Sequence, residues 1–138
     1  MNYVVASAHA AIELTEIKTA LLDGGSMLLF KNDYTPNNLS DLASFTEADF
    51  TGYTPGGTTL TTWSDYYDLP GGGRATLSPT ANWNAAAPFT ITNTIYGVYV
   101  IDSNGDYVGA VRFDTPAGMG AAGDAIHFAV EHVFAQPS

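Results

Sequence analysis

The chain has 138 residues, 46% of them hydrophobic and only 13% charged, and fourteen acids against four bases leave a formal net charge of −10. That length suits one core, the apolar share excludes a disordered chain, and the negative field repels phosphate backbones, which argues against direct nucleic-acid binding. With no cysteine in the chain, disulfide staples, thiolate metal sites and cysteine nucleophiles are excluded together.

From Asn2 to Leu22 there is no Gly or Pro, and Ala10, Leu14, Ile17 and Leu21 recur at helical spacing. The pattern predicts an amphipathic N-terminal helix, with Asn2 as N-cap and Gly24 just past its end. Two roles fit it: packing on the domain's own sheet, or an arm docking on a neighbouring subunit through residues such as Ile12 and Ile17. The stretch lacks a basic n-region and an uninterrupted apolar run, so neither a secretory signal nor a membrane span is expected.

After Gly24-Gly25 the pattern changes to short apolar or alternating runs broken by Gly, Pro, Asn and Asp, as antiparallel strands require. Met27 to Lys31 is the first expected strand and Thr35 to Asn38 a turn. Ser44 to Phe50, with Ser and Thr followed by acids, predicts a short capped helical turn. Thr58 to Trp63 is β-prone, an aromatic and acidic run continues to Asp68, and Pro70-Gly71-Gly72-Gly73 interrupts any regular element, so the middle reads as a long excursion. Arg74 to Leu77 and Phe89 to Thr92 are expected strands, with Asn82 to Ala87 a linker of no clear pattern.

Ile95 to Asp114 predicts a hairpin, because Asn104-Gly105 is the dipeptide of a two-residue type I′ loop. That register sets Tyr96 opposite Phe113, Val98 opposite Val111 and Val100 opposite Gly109 on a core face. Tyr99 opposite Ala110 and Gly97 opposite Arg112 make the other face. Beyond a Gly/Ala-rich segment from Pro116 to Gly123, Ile126, Phe128, Val130, His132 and Phe134 alternate with His127, Ala129, Glu131 and Val133 as one last strand. One helix followed by about seven or eight strands, without βαβ alternation, predicts a single mainly-β domain over 1–138. Its body, over 26–136, is an antiparallel β-sandwich or jelly-roll-like domain, and 2–22 is its N-terminal helix or arm.

The chemistry-bearing groups are sparse. Asp102-Ser103-Asn104-Gly105-Asp106 opens like a calcium loop, but Tyr107 stands where the glycine belongs and Phe113 where the bidentate Glu belongs. His127 and His132 fall on opposite faces of a strand and cannot share one metal. No nucleophile elbow, zinc helix or phosphate loop occurs, and Asp65 and Asp68 are the nearest approach to an acid and base pair. The expectation is therefore no enzyme, no cofactor and no metal. Trp63, Tyr66, Tyr67 and Trp83 form a dense aromatic group that fits an interface hot spot, a sugar-stacking platform, or a roof over the core.

Leu29-Phe30-Lys31-Asn32-Asp33-Tyr34-Thr35-Pro36 and Leu42-Ala43-Ser44-Phe45-Thr46-Glu47-Ala48-Asp49-Phe50-Thr51-Gly52-Tyr53 resemble a recurrent pattern in small virion-associated proteins of tailed bacteriophages. Ile95-Tyr96-Gly97-Val98-Tyr99-Val100-Ile101 with Arg112-Phe113 looks like the same family's downstream hairpin. The resemblance spans roughly residues 28 to 114 and consists of strand and turn residues. It implies a structural component of the virion, such as a decoration or cement protein on the capsid surface. Such a protein would be partnered by the major capsid protein and by copies of itself, often as a trimer. A tail or fibre component is the alternative it leaves open. It carries over no functional residues.

Overall fold

Residues 4–5 and 22–134 are described by the structure, a computed structural model. They form ten strands: β1 (Val4–Val5), β2 (Gly25–Phe30), β3 (Thr58–Leu60), β4 (Tyr67–Asp68), β5 (Arg74–Leu77), β6 (Ala81–Asn84), β7 (Asn93–Ile101), β8 (Tyr107–Met119), β9 (Ala125–Phe128) and β10 (Glu131–Phe134). Every pairing among them is antiparallel, in sheets ordered β1-β8-β7-β2-β3, β10-β5-β4 and β6-β9. The domain is mainly antiparallel β, and among the described residues no helix is long and apolar enough to cross a membrane.

The expected helix does not start at Asn2. Val4 and Val5 are extended and pair with Ala110 and Gly109 at the edge of β8. The remainder of that expected helix, including Ile12 and Ile17, lies outside the described residues.

The hairpin of β7 and β8 has the expected register, with Val98 opposite Val111, Tyr99 opposite Ala110, Val100 opposite Gly109 and Gly97 opposite Arg112. Its turn differs from the expected type I′ loop. Asn104 keeps a negative φ and only Gly105 is left-handed, at φ 87°. Gly105 N–H donates to Asp102 O at 2.9 Å and Asp102 N–H to Asp106 O at 2.8 Å. This is a three-residue connection closed by a glycine bulge. A second irregularity between Ile95 and Gly97 separates Tyr96 from Phe113. Tyr96 joins the aromatic side of the sheet while Phe113 packs on the opposite side with Phe128.

Three further expectations are corrected. Phe89 to Thr92 is not a strand, since Phe89 has φ 56°, a left-handed conformation that no strand residue adopts. The strand lies instead at Ala81–Asn84, overlapping the start of the supposed linker, with Ala81 and Trp83 inward and Asn82 and Asn84 outward. Ser44 ends a short 3-10 turn (Leu42–Ser44) and does not open a helix: Asp41 N–H donates to Ser44 Oγ at 3.1 Å and Ser44 N–H to Asp41 O at 3.0 Å. The Gly/Ala-rich segment is partly strand, since β8 runs to Met119 opposite Asn93.

The expected single last strand is two, paired with β6 and then β5. The interruption comes from the opposing segment between β5 and β6, where Pro79 has no N–H to give. Ser78 bridges the gap, donating its N–H to Val130 O and accepting the Val130 N–H on Oγ, each at 2.9 Å.

The five-stranded sheet buries both faces. Met27, Leu29, Ile95, Val98, Val100, Val108 and Val111 share one core with Trp63, Trp83, Ile126 and Val130. On the opposite face Leu28, Phe30, Tyr99 and Ala110 pack with Phe45, and Tyr34, Tyr96, Ile101 and Tyr107 close the rim. Gly97 permits the second arrangement, because a Cβ there would sit 2.7 Å from the Phe30 ring and 2.1 Å from Val111 O.

Candidate functional site

The aromatic group expected to act together is divided by the fold. Trp63 and Trp83 are both buried in the inner core. Trp63 is fully engaged: its backbone N–H donates to Asp23 Oδ1 at 2.7 Å and its Nε1 to Leu22 O at 2.9 Å. The Trp83 Nε1 is buried with no acceptor among the described residues. Tyr66 is half-buried and Tyr67 exposed, on the chain that leads into and forms β4.

The titratable groups mostly hold loops. Asp102, buried in the hairpin turn, accepts the N–H groups of Asn104 at 2.9 Å and Asp106 at 3.0 Å on Oδ1. The oxygen that would open a calcium loop thus caps a turn. Glu47 Oε2 accepts Tyr53 Oη and Gly56 N–H, both at 2.8 Å, tying the sheet edge to the loop before β3. Asp124 Oδ2 accepts the N–H groups of Gly120 and Ala121. Asp68 faces Arg74 at 3.0 Å and Asp33 faces Arg112 at 2.6 Å. Lys31 at 2.8 Å and Asn93 hold the Asp49 carboxyl below its ordinary range, with the lysine the larger influence. Among the described residues no three His, Cys, Asp or Glu side chains gather as metal ligands. His127 Nδ1 is hydrogen-bonded to Asn82 Oδ1, and His132 is fully buried with its ring edge-on to Trp63.

A cleft of about 250 Å³ opens between the loop before β3 and the outer side of β6, lined by Gly52, Thr54, Gly57, Thr58, Asn82, Trp83 and Asn84. Its lining is neutral amide, hydroxyl and backbone, so it has groups to hydrogen-bond a small polar molecule and no ionisable group to activate one.

Among the described residues, and apart from the single Ile91, the exposed large apolar side chains fall on two surfaces. On β4, β5 and β10, Tyr67, Ala75 and Val133 lie side by side in register, with Leu77 and Glu131 as the next row on the same face. Tyr67, Leu77 and Val133 are 37%, 43% and 42% exposed. Tyr67 reaches across Ala75 to donate its hydroxyl to Glu131, and loss of hydration followed by that carboxylate pushes its pKa up to about 12.

The second surface is the loop over 31–46, which lies against the outer aromatic face of the five-stranded sheet. Lys31 N–H donates to Thr46 O at 2.9 Å, so the ends meet as in an Ω-loop. Phe45 anchors it, stacked on Tyr99 with centroids 4.7 Å apart and edge-on to Tyr34 at 5.4 Å. Burial raises the pKa of Tyr99 to about 12 and that of Tyr107 further still. Arg112 fastens the neighbouring stretch, donating to Tyr34 O at 3.0 Å with its guanidinium 5.3 Å from the Tyr96 ring centre. The loop tip carries Leu39 and Leu42 outward, a pair whose exposure the sequence did not signal. Compared with protein-family models, curated proteins and solved structures, the chain matches none.

Proposed function

We propose that the protein is a structural component of a tailed-phage virion, built as a β-sandwich. In this reading it is a decoration or cement protein that associates as a trimer and stabilises the capsid shell by bridging its subunits. The virion assignment rests on the resemblance over residues 28 to 114. One observation carries the mode of action: Tyr67, Leu77 and Val133 stand exposed in register on one sheet face, while most of the placed carboxylates brace turns and loops. Apolar side chains on a rigid face favour contact with another protein. The face lies beside β4 and β10, the edge strands of its sheet, and the reading places contact between copies there. The charge of −10 favours a basic surface on the shell.

Shells of the encoding phage, purified without this protein, test the reading by co-sedimentation. Binding that saturates at a fixed ratio to shell subunits and raises the temperature of shell disruption is expected. Shells that neither recruit the protein nor gain stability would overturn it, and binding to purified tails alone would replace decoration with a tail role.

A further inference from the structure

The loop over 31–46 is braced at three levels. At its root, Asn32 Nδ2 donates to Ser44 O at 2.9 Å and Asn32 Oδ1 accepts the Thr46 N–H at 2.8 Å. In its middle, the buried Ser40 Oγ accepts the Asn37 N–H at 2.9 Å and lies 2.6 Å from Tyr34 Oη. At its tip, Asn37 Oδ1 accepts the Leu39 N–H at 2.8 Å, and Asp41 and Ser44 cap the 3-10 turn. On this support Leu39 is 86% and Leu42 44% exposed.

One exposed leucine on a surface is ordinary. Two at the tip of a loop braced by side-chain hydrogen bonds are different, because burying them against a partner does not require ordering a mobile segment first. The charge nearest the tip is acidic: Asp41 is exposed next to Leu42, whereas Lys31 and Arg112 are engaged by Asp49 and Asp33. This local acidity disfavours contact between two such tips and, with the net charge of −10, favours a basic partner there.

Building on the decoration reading, we infer that the Leu39–Leu42 tip is the anchor that seats the protein on the shell, inserted into an apolar, basic-rimmed pocket of the major capsid protein. The trimer contact is a separate surface, on β4, β5 and β10.

Shells lacking the protein are titrated with wild type, Leu39→Ser, Leu42→Ser and the double variant, with Ile91→Ser as a control at another exposed apolar side chain. Thermal melts and oligomeric mass are measured in parallel. The double variant is expected to melt and assemble like wild type but to bind shells at least about ten-fold more weakly, with Leu39→Ser accounting for most of the loss. Ile91→Ser is expected to bind normally, and binding of wild type should weaken as salt rises. Unchanged shell binding by the double variant overturns the inference and leaves the decoration reading intact. Loss of the oligomer with shell binding retained also overturns it, since the tip then lies between copies. Failure of wild type itself to bind shells removes the functional reading and this inference together.

Discussion

The two faces of the five-stranded sheet are both buried, but by different means. The inner face is aliphatic and closes against the smaller sheets around Trp63 and Trp83. The outer face is aromatic and closes against a single loop through Phe45. A cover made of strands shares its stability with the whole domain, whereas a loop cover depends on a few side chains and can open alone. The outer face is thus where one exposed tip can be held rigid without adding a strand.

Truncation separates the faces most strongly. Leu29→Ala, on the inner face, should destabilise the whole domain by about 2–5 kcal/mol in denaturant titration, with the opening free energies of slowly exchanging core amides falling together. Phe45→Ala should cost about 3 kcal/mol, and hydrogen exchange should speed first at the Ser40 and Thr46 amides while β2 and β7 remain protected. Equal loosening everywhere in Phe45→Ala would mean that the loop is not a separate unit.

Within the inner core the two tryptophans offer a finer comparison. Trp63→Phe strands the Leu22 carbonyl and should cost about 1–3 kcal/mol. Trp83→Phe removes a buried N–H that has no acceptor among the described residues. Its effect should stay below about 1 kcal/mol. Similar losses in both variants would show that the Trp83 indole is satisfied after all.

A last comparison is set by pH. Burial raises the pKa of Tyr99 and Tyr107 on the outer face and of Tyr53 on the inner one, where the Glu47 hydrogen bond adds to burial. Tyrosines of the unfolded chain ionise near about pH 10. The protonated folded form therefore contributes its full stability below about pH 10 and loses it progressively as pH rises toward and beyond 12. Melting temperature should be level to about pH 9.5 and then fall, and these buried tyrosines should give no tyrosinate absorbance until the chain unfolds.

The hairpin register was legible because Val98, Val100 and Val111 alternate with Tyr99 and Ala110 over enough residues to define two faces. The register slip that moves Tyr96 was not, since a bulge leaves no mark in the alternation. β6 was hidden because its outward residues are asparagines, which read as loop. The break between β9 and β10 has its cause at Ser78-Pro79, far away along the chain. Leu39 and Leu42 were illegible as an exposed pair for another reason: a leucine in a polar stretch stands out only when Asn37, Ser40 and Phe45 are seen to fix the backbone beneath it.

The central claim is that the protein works by contact at two ordered apolar surfaces. Hydrogen exchange of the free protein against the shell-bound protein tests it most directly. The account predicts slowed exchange at the loop tip around Leu39 and Leu42 on shell binding, and slowed exchange on β4 and β10 in the trimer relative to a dissociated subunit. Protection confined to the Gly52–Asn84 cleft, with the loop tip exchanging as in the free protein, would contradict it.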